Sequence, residues 1–411
     1  MKIAVVGGGL AGMSAALELV YAGHEIVLHE ARPTLGGAVQ TLPERQSDPP
    51  PPPDNGQHIA LGCFDAYRKF ITRIGKESAL RREPLRLPVI DERGGTSTIR
   101  PGPWLLAYGH LPLAAKLRIA RVTLRLRGLT PSQHCDETFA EVLRRLGQRQ
   151  PEIDRFWDVF IRPALNLPTE EAGADYGIFT VQTALLGPRA ASDLLLPIEP
   201  LGEMHGDAAG RALADGGAEV RLESRVASLD ELDADAVVIA VPPLEAAELL
   251  GEDPPALEDS PIVSVHLLFD RPLLGHPLAA LLDSPAHWVF DRGALTGHRP
   301  ADGGQYLTVV SSGVPELLDV RGRGLVDLMA DALRERLGPA ELLWSRVSRE
   351  PRATFAARPG TRRLRWTMET RRPNVTLAGA WLASEWPATM EAAVRSGVAA
   401  AQAVARDRRE T

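Results

Sequence analysis

The chain is 411 residues long, 44% hydrophobic and 24% charged, with a formal net charge of −7. That length exceeds one ordinary core and favours two domains, and the acidic balance gives no global reason to bind nucleic acid. No apolar run reaches the roughly 20 residues a membrane-spanning helix needs. Cys63 and Cys135 lie in no CxxC pattern, so reduced thiols and a cytoplasmic setting are expected, and no His/Cys/Asp/Glu spacing suggests a metal.

The chain opens on a short apolar strand, Lys2 to Val6, which runs into Gly7-Gly8-Gly9-Leu10-Ala11-Gly12. An Ala/Leu-rich helix to Tyr21 follows, then a second strand, Glu25 to His29, that ends on Glu30. Strand, glycines, helix, strand and acid in that order predict a dinucleotide site. Gly7 makes the tight turn, Gly9 lets backbone approach a pyrophosphate, and Gly12 allows close helix–strand packing. The helix N-terminus then faces the phosphates and Glu30 a ribose. With that strand at the start, no signal peptide is expected. Next comes Gly36-Gly37, and then five consecutive prolines, Pro49 to Pro53, which cannot continue a helix or central strand. They predict a stiff extended loop, with a ligand for a proline-recognition module as the alternative.

A helix is expected over Ala66 to Ile74, and strands over Leu87–Ile90 and Thr96–Ile99. Residues 103–195 read as mainly helical. Within them, Trp104 to Arg127 is apolar and then basic at helical spacing, which suits either a bilayer-facing surface or an ordinary solvated face. Dinucleotide-domain rhythm returns at Ala208 to Leu222 and in the strand Ala236 to Ala240. Alternating runs at Ile262–Phe269, His287–Asp291 and Tyr306–Ser311, a helix over Gly324–Leu337 and a strand over Leu342–Val347 predict an antiparallel sheet. The strand at Asn374–Gly379 and a helix over Thr389–Ala405 close the chain. Residues 1–84, 198–254 and 356–411 are thus expected to form one discontinuous domain, with 85–197 and 255–355 as an inserted substrate domain. Such discontinuity fits flavoproteins better than simple dehydrogenases.

The glycine loop with Glu30, Arg32 and Gly36-Gly37, together with Leu377-Ala378-Gly379-Ala380-Trp381 and Trp386 to Gly397, resembles the FAD-binding amine oxidase and phytoene desaturase superfamily. Ala380 stands where that superfamily usually has Asp, and Ala38 where it often has Arg. Two further segments, Asp54-Asn55-Gly56-Gln57-His58 and Ala164–Ala172 with Ala184–Pro197, are similar to those of the hydroxysqualene dehydroxylases, also called squalene-associated FAD-dependent desaturases. The fold implied is α/β: a Rossmann-like, three-layer FAD-binding domain with an inserted substrate domain of antiparallel sheet plus helices. The cofactor would be FAD, held by Gly7, Gly9, Leu10, Ala11, Gly12, Glu30, Ala31, Arg32, Gly36, Gly37, Ala38, Gly56, Val226, Gly379, Ala380, Met390 and Glu391.

The activity implied is reductive dehydroxylation of hydroxysqualene, a long apolar isoprenoid. An electron donor the sequence does not identify would supply the reducing equivalents, and contact with the inner face of the membrane would be peripheral. A carotenoid-type desaturase or isomerase, a flavin amine oxidase, and a non-catalytic flavin- or lipid-binding scaffold are the alternatives. Hydroxide is a poor leaving group, so an acid is needed. His58 titrates near neutral pH and Asp54 can orient or charge it, unless both only shape the loop. Arg189 and Asp193 are expected to pair.

Overall fold

The computed structural model describes residues 1–406; the last five residues of the expected 356–411 segment lie outside them. Strand Lys2–Val6 occupies the centre of a five-stranded parallel sheet. Glu25–His29 and Glu219–Arg221 lie on one side of it, and Ala236–Ile239 and Val375–Leu377 on the other. The three inner strands are covered on both faces, which is why they read as unbroken apolar runs rather than alternating ones. Helices Leu10–Tyr21 and Met390–Arg406 pack together, and the Ser14 hydroxyl bridges them by donating towards the Ala11 and Val394 carbonyls.

A seven-stranded sheet forms the second layer. Its order is Leu342–Phe355, Asp259–Phe269, Gln305–Ser312, Trp288–Asp291, Leu278–Leu281, Leu87–Ile90 and Thr96–Ile99. All its pairs are antiparallel except the one joining Leu278–Leu281 to Leu87–Ile90. The strand expected to end at Val347 continues to Phe355, because it follows Asp259–Phe269 along its length through two register shifts. Helix Arg323–Leu337 buries Leu325, Met329, Ala330 and Leu333 against this sheet.

Residues 102–192 are built largely of helices, and the strand Leu194–Pro197 ends that stretch. It pairs with Ala60–Leu61 and Leu80–Glu83 in a small antiparallel sheet. The expected Arg189–Asp193 pair does not form. Asp193 instead accepts from Arg82 Nε at 2.7 Å, a partner that this small sheet brings alongside. Among the described residues no helix is long and apolar enough to cross a membrane.

Candidate active site

In parallel sheets, ligands sit beyond the C-terminal strand ends. Here Gly7, Glu30, Ala240 and Ala378 all follow directly on such ends. Gly12 packs so closely on the first strand's exit that an added Cβ would lie 1.8 Å from the Gly7 carbonyl oxygen. Gly9 faces the opposite situation: a Cβ there would meet nothing nearer than the Gly37 Cα, at 4.0 Å. Gly9 is also the N-cap of helix Leu10–Tyr21, and no side chain caps it. The first turn of the helix therefore presents unpaired N–H groups to an open space, the arrangement that receives a phosphate.

Glu30 is buried. Its two carboxylate oxygens accept from Gly8 N at 2.6 Å and Arg32 N at 2.8 Å, which leaves each oxygen a further lone pair for a ribose hydroxyl. The exposed side chains of Ala31, Arg32 and Ala38 rim this space. The Ser224 N–H donates to the Glu30 carbonyl, carrying Val226 to the same edge. The Gly36 N–H donates to the Gly8 carbonyl and draws Gly36-Gly37 against the loop. An open, uncapped cradle with a buried acid fits the AMP and pyrophosphate half of FAD.

The C-terminal arm completes this edge. The Gly379 N–H donates to Ser396 Oγ, and Trp381 Nε1 to the Val241 carbonyl. The segment after Gly379 is gathered by one buried guanidinium. Arg365 donates to the carbonyls of Ala380, Trp381, Leu382, Ser384 and Trp386 and to the Tyr176 hydroxyl, and stacks 4.7 Å from the Phe355 ring centre. It has no carboxylate partner among the described residues, and burial lowers its pKa. Glu391 is fully buried and turned elsewhere: it accepts from Ala66 N and Tyr67 N, capping helix Asp65–Arg73, and from Arg395. Glu391 is then left only its backbone to face a cofactor.

The proline loop lies against the same cradle. Asn55 donates from its backbone to the Gln40 carbonyl, and its side chain reaches towards the Ala38 carbonyl. Two buried ion pairs fix the loop to the antiparallel sheet and its adjoining helix, Arg346–Asp48 and Arg292–Asp54, the latter at 2.7 Å. Asp54 also accepts from Thr41 Oγ1 and Leu201 N on its other oxygen, so three donors hold the carboxylate and it acts as an anchor. His266 Nε2 donates to the Asp54 carbonyl.

His58 is half-buried, yet its Nδ1 is wholly buried and unpartnered among the described residues. Burial lowers its pKa, against the opposing charge of Asp54. His205 lies near enough for His58 to depress it further, and its pKa is lowered to about 4, chiefly by burial. Since the Leu201 carbonyl can only accept, His205 carries its proton on Nδ1, and Nε2 accepts from the Tyr67 hydroxyl at 2.8 Å. An orphaned imidazole nitrogen beside Gly56 is a polar atom this loop leaves for a ligand; the other buried unpartnered atom of the loop, Asp48 Oδ1, belongs to the carboxylate paired with Arg346.

The structure therefore brings the glycine loop, Glu30, Gly36-Gly37, Asp54–His58, Val226 and Gly379-Ala380 to one region. The sequence reading missed Arg292, Arg346, Arg365, His205 and Tyr67. Each is a single residue remote from its partner in the chain and embedded in no motif, so only an unexplained arginine or histidine in an apolar context could have flagged it. No group of His, Cys, Asp and Glu among the described residues could hold a metal ion.

The flavin containing amine oxidoreductase family model matches residues 10–405. The chain is 29% identical over 424 residues to a hydroxysqualene dehydroxylase of Sinorhizobium fredii, and 28% identical over 442 residues to one of Rhodopseudomonas palustris; each match covers 97% of both chains. It is also 38% identical to a zeta-carotene desaturase of Zea mays, but over 80 residues only, 20% of this chain and 14% of that one. In fold it is similar to an oxidoreductase of Methanosarcina mazei (TM-score 0.75, 17% identity, covering 98% and 100% of the two chains). It is likewise similar to cyclohexylamine oxidase of Brevibacterium oxydans (TM-score 0.74, 18% identity, 99% of each).

Proposed function

The chain belongs to the flavin containing amine oxidoreductase family and is an FAD-dependent oxidoreductase, and from that premise we propose that it reductively dehydroxylates hydroxysqualene to squalene. One observation carries the choice of substrate. Similarity to the hydroxysqualene dehydroxylases runs through the substrate-side segments as well as the cofactor segments, whereas similarity to the carotene desaturase stops after 80 residues. A substrate of this kind partitions into lipid, so the reading also sets the work at the cytoplasmic face of a membrane.

The balance is simple: an allylic C–O bond breaks, a C–H bond forms, and the hydroxyl leaves as water with one added proton. When bound in its reduced form, FAD supplies the two electrons and the hydrogen. Gly7, Gly9, Gly12, Glu30, Arg32 and Gly36-Gly37 would hold its AMP and pyrophosphate half. Gly56, Gly379-Ala380 and the backbone of Met390–Glu391 would hold the rest. Arg365 keeps the 380–386 segment in one shape. Asp54, anchored by Arg292, aims the loop that carries His58. The buried Nδ1 of His58 is the atom proposed to present a proton to the departing hydroxyl.

Incubating the flavin-loaded protein anaerobically with chemically reduced FAD and hydroxysqualene, and following squalene by mass spectrometry, tests the reading. Squalene should appear, and His58→Ala should slow its formation by about 100-fold while bound flavin is retained. Because burial lowers the His58 pKa, the wild-type rate should climb as pH falls below 6.5, and the variant should lose that limb. Absence of squalene from loaded protein that desaturates a carotene would overturn the assignment.

A further inference from the structure

Five of the eleven large apolar side chains that stand exposed among the described residues fall between positions 104 and 124: Trp104, Leu106, Leu113, Leu117 and Leu124. Helix Leu113–Leu126 is apolar on two faces. Ala115, Ile119, Val122 and Leu126 point into the core, while Leu113, Leu117 and Leu124 recur at helical spacing on the outside. The preceding turn Gly102–Ala107 buries none of its residues, and Lys116 Nζ binds the Leu106 carbonyl, so turn and helix form one surface. Single exposed leucines are ordinary in a globular protein; a contiguous set with a tryptophan at its edge marks a contact surface.

Its charge says what the surface contacts. The chain carries −7, yet from Arg93 to Cys135 there is no acidic residue and there are seven basic ones. Lys116, Arg118 and Arg127 have partners within the fold. Arg121 and Arg125, both exposed on the helix, have none among the described residues. A protein partner of matching shape would need an acidic, apolar groove. A bilayer with anionic headgroups supplies both properties without shape complementarity, and a tryptophan with flanking arginines suits the interface between headgroups and acyl chains.

We propose that Gly102–Ala107 and the outer face of helix Leu113–Leu126 form a docking surface for an anionic lipid bilayer. Its purpose rests on the isoprenoid reading, since that substrate reaches the protein from lipid, but its test does not. Flavin-loaded full-length protein should co-sediment with vesicles of phosphatidylcholine and phosphatidylglycerol, bind pure phosphatidylcholine weakly, and be released by high salt. Leu117→Asp with Leu124→Asp, and separately Arg121→Glu with Arg125→Glu, should each weaken binding by about tenfold or more while bound flavin and turnover of detergent-dispersed substrate are kept. Leu244→Asp with Leu343→Asp, exposed leucines elsewhere, should change nothing. Equal binding to both vesicle types, or binding to neither, would overturn the proposal. So would a dimer in solution that Leu117→Asp dissociates, which would make this face a contact between copies. Vesicle binding without squalene formation would sink the substrate reading and leave the docking surface standing.

Discussion

The glycine loop and the proline loop lie at the same edge of the parallel sheet and are held in opposite ways. The glycine loop is shaped by absent atoms: Gly12 fits because it has no Cβ, and the helix start stays uncapped. Most of its neighbours come from the first forty residues or the strand ends beside it, with the closing helix packed on Ala11. The proline loop is shaped by added atoms from far along the chain, with Arg292, Arg346, His266 and Ser348 reaching in from the antiparallel sheet and its adjoining helix. A local device recurs as a motif, whereas a cross-domain clasp depends on the whole fold. The proposed division of labour follows, with a cofactor half held mainly by short-range contacts and a loop carrying His58 held by contacts from distant segments.

Cutting the clasp should have the largest effect. Arg292→Met leaves the Asp54 carboxylate buried without its cation, at a cost of about 3–5 kcal/mol. Denaturant midpoints should fall accordingly, and flavin should be lost only as the protein unfolds. If that variant keeps wild-type stability, the proline loop is not held by its ion pairs and the contrast fails. Filling the glycine loop should cost less in stability and more in cofactor. Gly12→Ala drives a methyl into the Gly7 carbonyl, an overpacking worth about 1–3 kcal/mol, and the purified protein should lack its flavin absorbance while remaining folded by circular dichroism.

The gentlest probe is pH. His266, which donates to the proline loop at the Asp54 carbonyl, and His205, which bridges Leu201 and Tyr67, have pKa values lowered by burial to about 3 and about 4, below the ordinary 6.5. The unfolded chain therefore takes up more protons across that interval, so stability is full above pH 6.5 and declines as pH falls towards 3. Thermal unfolding followed against pH should show this slope, and His266→Asn should flatten it.

The sequence reading follows the same divide. The parallel strands and the close-packed glycine turn after the first of them were legible because strand burial and tight helix–strand packing leave short, ordered signatures. So were most strands of the antiparallel sheet, whose alternation is explicit. The extension of the last strand to Phe355 was not, because Pro351 and Arg352 interrupt the pattern: they fall in a bulge without partners, and pairing resumes only where Thr354 and Phe355 meet Ser260 and Asp259. The Arg189–Asp193 pairing failed for a related reason: closeness in sequence is no guide where a short sheet supplies Arg82 from another segment. The five prolines announced a rigid loop, but nothing local told that Asp54 would be tied to Arg292 rather than free for proton transfer. Arg365 was wholly illegible, since its ligands are backbone carbonyls, which every residue possesses.

The parallel sheet also sets an order of assembly during synthesis. Its central strand is made first, yet one outer strand, Val375–Leu377, and the covering helix Met390–Arg406 emerge last. The clasps on the proline loop likewise wait for residues 292 and 346. A nascent chain can thus display its glycine loop early but can close the cradle only once residues 375–406 have been made.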